Sequence, residues 1–311
     1  MQVFRTFEEL AGHSHKVCLA IGVFDGVHLG HQRVIGQARD DARATGGTSV
    51  VLTFDPHPMR VLAPEKAPRL LTATEHKLSL IEKLGVDACL LLTFDKPFSL
   101  TPPERFIDAV ARQTNQLQEI CVGTRFRFGH ERAGDVRMME ALAPKYGFVA
   151  KEIKSVTLGE EMISSTAIRK HVLNGRLERA AAMLGRPFSI LGSVEPGDHR
   201  GRELGFPTAN LNAHDEVLPP DGVYAARVVV ADEELGGVVN IGVRPTFAGS
   251  QPPRLLEVHI LDFVGELYGR NIEVRFLSKL RDEQKFASTE ALKAQITADI
   301  HAARQILGRQ P

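Results

Sequence analysis

The rhythm of apolar and polar residues changes near residue 185. Before it, short apolar runs alternate with stretches of helical period. Val17 to Phe24 reads as a buried strand, with a helix from about Gly30 to Thr45 after it. Thr48 to Phe54 is a second strand, ended by Asp55-Pro56-His57-Pro58, and Glu75 to Leu84 reads as a helix stopped at Gly85. Ala88 to Phe94 and Glu119 to Gly123 are further strands, and Pro103 to Gln113 and Asp135 to Tyr146 further helices. Strands alternating with helices predict a parallel sheet with crossover helices.

Ser164 to Leu184 predicts two short helices. Ser165 or Thr166 is placed to cap the first, and Asn174-Gly175 to end it. Gly185-Arg186-Pro187 breaks the pattern, which sets a domain boundary: residues 1–185 and residues 186–311. Beyond it the period becomes that of strands: Phe188 to Glu195, Gly222 to Val230, Gly237 to Ile241, Leu255 to Leu261 and Asn271 to Phe276. Turn signals at Pro220-Asp221-Gly222 and at Asp232 to Gly237 separate them. This half predicts a small antiparallel β-barrel, covered by a terminal helix within Glu283 to Leu307.

Composition narrows the function classes. Lys+Arg and Asp+Glu balance at 38 each, so no global field favours nucleic acid or anionic lipid, and phosphate binding must rest on local groups. Cys18, Cys89 and Cys121 are widely spaced in apolar runs without zinc-ligand spacing, which predicts buried reduced thiols. The N-terminus lacks a signal-peptide pattern and no apolar run is long enough to span a bilayer. The expectation is a cytoplasmic protein acting on small molecules, with no nucleic-acid or membrane partner; oligomeric state stays open.

The stretch Gly22 to His31, GVFDGVHLGH, follows the first strand and opens a helix. Gly22, Gly26 and Gly30 allow tight turns, and a helix N-terminus offers free N–H groups to an anion. His28 and His31, three apart, lie on one side and can donate to charge developing on a triphosphate. No G-x-x-x-x-G-K-[ST] loop exists in the chain, so this is not a P-loop of that type.

GVFDGVHLGH resembles the H-x-G-H signature of the α/β nucleotidyltransferases, specifically the adenylyltransferase domain of bacterial bifunctional riboflavin kinase/FAD synthetases. LTFDPHP (Leu52 to Pro58) resembles the family's next motif, and ISSTAIR (Ile163 to Arg169) its serine/threonine/arginine segment. The resemblance implies a Rossmann-like first domain. It implies ATP contacts from Gly22, Phe24, Asp25, Gly26, His28, His31, Ser165, Thr166 and Arg169, with His28, His31 and Arg169 catalytic. It implies flavin contacts from Phe54, Pro56, His57 and Pro58. One departure stands out: at Gly123-Thr124-Arg125-Phe126 the family usually carries Asp or Asn where this chain has Arg125, a cation with no acceptor.

In the barrel half, GRELGFPTANL (Gly201 to Leu211) resembles the riboflavin kinase signature G-x-x-x-G-x-P-T-A-N. Pro207 stiffens the loop before Thr208 and Asn210, whose hydroxyl and amide oxygens are hard ligands suited to Mg²⁺ on ATP phosphates. The resemblance assigns them that role. In LEVHILDF, Leu256, Val258 and Ile260 share one strand face and Glu257 the other. The family pattern makes Glu257 the base for the riboflavin 5′-hydroxyl. NIGVRPTF (Asn240 to Phe247), LYG (Leu267 to Gly269) and FLSKLRDEQKF also match, and Arg281 falls near the flavin or nucleotide edge.

Two ATP-dependent reactions on flavins are therefore implied, riboflavin to FMN and FMN to FAD, with Mg²⁺ as cofactor. A kinase alone, with an adenylyltransferase impaired at Arg125, is the alternative; a non-catalytic flavin- or nucleotide-binding regulator is a third.

Overall fold

The computed structural model describes residues 1–197, 201, 204–231, 233–243 and 254–308. Two compact units emerge: Met1–Arg69 with Thr74–Ser165, and Leu70–Ala73 with Thr166–Pro311.

The first unit is a parallel six-stranded sheet of β1 (Gln2–Phe4), β2 (Cys18–Ile21), β3 (Ser49–Asp55), β4 (Ala88–Thr93), β5 (Glu119–Gly123) and β6 (Val149–Ile153), ordered β1-β4-β3-β2-β5-β6. Strands β2 to β5 are buried almost throughout because crossover helices cover both faces. The helices are α1 (Phe7–Ala11), α2 (Leu29–Thr45), α3 (Pro58–Leu62), α4 (Thr74–Glu82), α5 (Lys96–Ser99), α6 (Pro103–Gln113) and α7 (Val136–Tyr146). On α2, Val34, Ile35, Ala38 and Ala42 form the buried stripe that packs on the central strands. From β2 the chain moves out through β3 and β4 on one side, while β5 and β6 lie on the other. The sheet therefore has its switch point between β2 and β5, where open α/β sheets hold ligands.

The strands expected from apolar runs are present. Edge strands β1 and β6 were not expected: the first is three residues long, and VAKEI in β6 is polar and half-exposed, as edges usually are. A short hairpin, β7 (Thr157–Leu158) with β8 (Glu161–Met162), completes the unit. All three cysteines are free and buried, and burial pushes the Cys89 thiol up to about 12.

In the second unit, α8 (Ser165–Leu173) begins one residue before the division, and α9 (Leu177–Leu184) ends at Gly185. A closed barrel follows, of β9 (Ser189–Glu195), β10 (Ala209–Asn212), β11 (Gly222–Val230), β12 (Glu233–Val243), β13 (Arg254–Ile260) and β14 (Asn271–Arg281). Its order is β10-β13-β12-β11-β14-β9, with every pair antiparallel. Tyr224 packs edge-on against Phe276, and Phe188 stacks on Phe276, inside the barrel. The terminal helix, Thr289–Gly308, lays Ala303, Ile300 and Leu307 on Val223, Ala225, Val238 and Leu261.

Two strands outrun their sequence pattern. The segment read as a turn at Asp232 to Gly237 is strand from Glu233, since β11 and β12 pair out to Val230 and Glu233; Asp232 itself lies outside the described residues. Glu234 is polar because it faces outward, where Arg275 binds it at 2.5 Å. Similarly, β14 continues to Arg281 because β11 goes on pairing with it past two register shifts. No helix among the described residues is long and apolar enough to cross a membrane.

Candidate functional site

In the first unit, the loop between β2 and α2 sits at the switch point and is conformationally unusual. Phe24 and Val27 adopt positive φ (52° and 39°), as does Gly26 (82°). Only glycine takes this region at no cost; for the other two, roughly 1–3 kcal/mol each is stored and must be held by surrounding contacts. Those contacts are present. Phe24 and Val27 are buried at 2% and 1% exposure. Gly22 N–H donates to Leu52 O at 3.1 Å, Val27 N–H to Phe24 O at 3.1 Å, and Gln32 Nε2 to Val27 O at 2.9 Å.

His28 caps α2, its Nδ1 accepting from the His31 N–H at 3.3 Å. The two imidazoles stack, with centroids 3.5 Å apart and planes 20° from parallel, and Phe24 meets His31 edge-on at 5.3 Å. The His31 Nδ1 is inaccessible and makes no hydrogen bond. Burial first, then His28 and Lys77, hold its pKa well below the ordinary histidine value. His31 is therefore a neutral ring at neutral pH; what it can offer a phosphate is a neutral N–H rather than an imidazolium charge.

Asp25 is also buried. Its carbonyl accepts the Ser165 hydroxyl at 2.9 Å, so two motifs 140 residues apart meet here. Ser165 is the first residue of α8 and directs its proton to this loop, where a helix cap was expected. Thr166 follows on the first turn of the same helix and Arg169 one turn further on.

The LTFDPHP motif closes β3. Phe54 is buried against Phe94 and Phe98 at 5.7 and 5.8 Å, part of an aromatic run that continues through Phe106 and Phe128 to Phe126. His57 caps α3, accepting from Met59 N–H at 3.2 Å; Pro58 begins that helix, one residue after His57 and two after Pro56. Arg125 is exposed just past β5. Since Ala20 pairs with Cys121, the turn carrying Arg125 runs level with the loop that follows β2.

One residue here was not legible beforehand. Lys77, on α4, is buried, and its ammonium donates to Phe54 O at 2.9 Å and Thr53 Oγ1 at 3.3 Å. Thr53 in turn donates to Val23 O at 3.0 Å. A lysine in a helix ordinarily reads as a solvated one, and nothing in its spacing marks it.

A separate cluster, Asp41, Glu119 and Cys121, brings ligand atoms within 4.8 Å of one another. The Lys151 ammonium already sits on it, 2.9 Å from Asp41 and 2.6 Å from Glu119, so it is an internal ion pair network.

In the second unit the polar candidates line up across four adjacent strands. Asn210 on β10 stands opposite Glu195 on β9 and Glu257 on β13, and Glu257 stands opposite Asn240 on β12. Paired residues share a face, so these side chains form one outward row while Leu211, Leu256 and Val258 fill the interior. Asn240 Nδ2 donates to Glu257 Oε2 at 3.4 Å, and Asn212 Nδ2 to Glu195 at 2.7 Å. The Thr208 loop is tied to β13 by His259, whose Nδ1 donates to Pro207 O at 2.8 Å.

The Asn210 Oδ1 is buried and accepts no hydrogen bond, a costly condition unless a cation or donor satisfies it. A Cβ on Gly197 would lie 1.7 Å from Asn210 Nδ2, and one on Gly201 would lie 2.9 Å from Thr208 Oγ1, so only glycine backbones fit this close. A buried amide oxygen and a nearby exposed hydroxyl fit a hard cation such as Mg²⁺. Arg281 has a different commitment: its guanidinium binds Asp299 of the terminal helix through Nε and Nη2 at 2.9–3.0 Å and donates Nη1 to Asp282 O at 3.0 Å. Arg202, Glu203 and the 244–247 part of NIGVRPTF lie outside the described residues.

Residues 11–167 match the FAD synthetase family and residues 184–307 the riboflavin kinase family. The bifunctional riboflavin kinase/FMN adenylyltransferase of Escherichia coli (strain K12) is 39% identical over 310 residues, 99% of this chain and 98% of that protein. Its Bacillus subtilis (strain 168) counterpart is 39% identical over 288 residues, 91% of this chain and 90% of that protein. A Streptococcus pneumoniae crystal structure described as a macrolide-efflux protein superposes with a TM-score of 0.82 at 27% identity, covering 97% of this chain and 98% of that one.

Proposed function

The chain belongs to the bifunctional riboflavin kinase/FMN adenylyltransferase family, and from that membership we propose two successive ATP-dependent reactions in one polypeptide: riboflavin to FMN, then FMN to FAD. Two separate family matches, one for each reaction, carry this reading. It is favoured over a kinase acting alone because both halves match their families.

For the kinase step, we assign Glu257 as the base that takes the proton of the riboflavin 5′-hydroxyl. The freed oxygen attacks the γ-phosphorus of ATP and ADP leaves. Asn240 holds one oxygen of Glu257, which leaves the other for the hydroxyl. Thr208 and Asn210 would hold Mg²⁺, and the orphaned Asn210 oxygen supports that role. When bound, the metal neutralises phosphate charge.

For adenylyl transfer, the FMN phosphate is already a nucleophile and attacks the α-phosphorus of ATP, releasing pyrophosphate. Loop residues Gly22, Phe24, Asp25 and Gly26 shape the phosphate seat at the N-terminus of α2. His28 and His31 donate to the charge that builds on the phosphates, and Ser165, Thr166 and Arg169 supply further donors. Phe54, Pro56, His57 and Pro58 are assigned to the flavin side. Arg281 serves flavin binding through the terminal helix it anchors.

The catalytic boundary proposed at 185/186 differs from the compact division at 165/166. Of the α8 residues assigned to adenylylation, Ser165 falls before that division and Thr166 and Arg169 after it, and α9 carries none. A cytoplasmic setting fits the two substrates.

The test is a single assay. Purified protein with riboflavin and MgATP is expected to give FMN, then FAD, with one pyrophosphate per FAD. FMN without pyrophosphate would reduce the protein to a kinase, and neither product would refute both assignments.

A further inference from the structure

A lysine at 6% exposure on α4 makes its hydrogen bonds to two neutral acceptors, Phe54 O and Thr53 Oγ1, and forms no ion pair within 4 Å among the described residues. Taking an ammonium out of water is expensive, and neutral acceptors repay only part of that. Burial accordingly lowers the Lys77 pKa, while the Cys89 thiol and the Asp25 and Asp55 carboxylates act the other way. An apolar residue at this point of α4 would cost less, so stability alone does not account for a cation here.

Its location supplies a reason. Thr74, one turn earlier on α4, donates to Asp55 at 2.7 Å, so two residues of the helix clasp the end of β3. Thr53 relays the Lys77 contact to the Val23 carbonyl, inside the loop where Phe24, Gly26 and Val27 hold positive φ. The ammonium is also close enough to His31 to act on it electrostatically. A fixed charge in a dry region below a phosphate-binding loop is felt strongly by an arriving polyanion.

We propose that Lys77 is a positioning residue of the adenylyl-transfer site: it holds the loop 22–28 through Thr53 and charges the seat in advance for the ATP triphosphate. This rests on the adenylyltransferase reading above.

The test compares Lys77→Met and Lys77→Arg with the unaltered chain. Both flavin reactions are measured on each, with Tm. Lys77→Met keeps the length of the side chain and removes its charge. It should lower kcat/KM for ATP in FAD formation by at least about tenfold, mostly through KM, as loss of a fixed charge on a polyanion implies. Riboflavin phosphorylation should stay within about twofold and Tm should hold or rise, since the buried charge is gone. Lys77→Arg should recover part of the ATP affinity. FAD formation within about twofold of the unaltered chain in Lys77→Met overturns the proposal. So does a loss that follows a fall in Tm, lowers both reactions together and is not relieved by arginine. If the unaltered chain makes no FAD from FMN, the adenylyltransferase reading fails instead, and the two failures are told apart.

Discussion

Asn210 and Glu257 stand directly opposite each other on neighbouring antiparallel strands of the barrel, although 47 positions separate them in the chain. That pairing sets a buried amide oxygen that accepts no hydrogen bond and a carboxylate side by side on the outer face, above an interior of aliphatic and aromatic side chains. A proton acceptor next to a phosphate-holding group is what transfer from ATP to an alcohol needs.

Glu257→Gln keeps the shape and the contact with Asn240 while removing the proposed base. FMN formation should fall by about 10²- to 10⁴-fold, the usual contribution of a general base. FAD formation from supplied FMN should persist. Separate assays on one preparation decide it; parallel loss of both would mean that the two sites are not independent.

Gly197→Ala places a methyl group 1.7 Å from the Asn210 amide nitrogen, which must swing away. Riboflavin phosphorylation should drop by about tenfold or more, and the drop should shrink as Mg²⁺ is raised, because a displaced ligand weakens metal binding. A variant with unaltered magnesium dependence would remove Asn210 from the metal's coordination.

His31 carries a pH signature. Its folded pKa lies well below the unfolded value of about 6.5, so as pH falls past that value the unfolded chain takes up a proton there more readily than the folded chain. Stability must then rise with pH: this contribution is fully present above about 6.5 and is lost as pH falls below it. The slope from this one group is at most about 1.4 kcal/mol per pH unit. Urea unfolding at pH 5.5 and 7, with His31→Gln as the flat control, reads the difference. An NMR midpoint for His31 at or above 6.5 would contradict the buried, neutral ring.

Arg281 and Asp299 form a largely buried ion pair that pins the terminal helix to β14, with Asp299 only 6% exposed. Arg281→Met strands the carboxylate and should destabilise the barrel unit by about 3 kcal/mol, within the range for breaking such pairs. Joint replacement, Arg281→Met with Asp299→Leu, should recover much of it. If flavin affinity falls in the single variant and returns in the double one, Arg281 acts by holding the helix; if it stays low, the guanidinium touches the flavin.

Much of this was legible along the chain because its signals are local. Apolar runs with helical stretches between them imply the parallel sheet, and a glycine-rich stretch ahead of a helix implies an anion seat. Likewise, Leu256, Val258 and Ile260 alternate with Glu257 because a strand has a period of two. Those features need only neighbours within about ten residues. The strand limits were less legible, since Glu233 to Gly236 and Leu277 to Arg281 carry polar residues whose partners, Arg275 and Asp299, lie far off in sequence.

What one dimension could not contain is which distant groups end up together and how dry they become. Strand register decides that Glu195, Asn210, Glu257 and Asn240 form a row. Packing of α4 against the end of β3 decides that Lys77 is out of water, and burial, ahead of the neighbouring His28, decides that His31 is neutral. Residue type and spacing carry the backbone's short-range preferences; solvation and long-range contact arise only when separate elements close over one another, and they determine charge state.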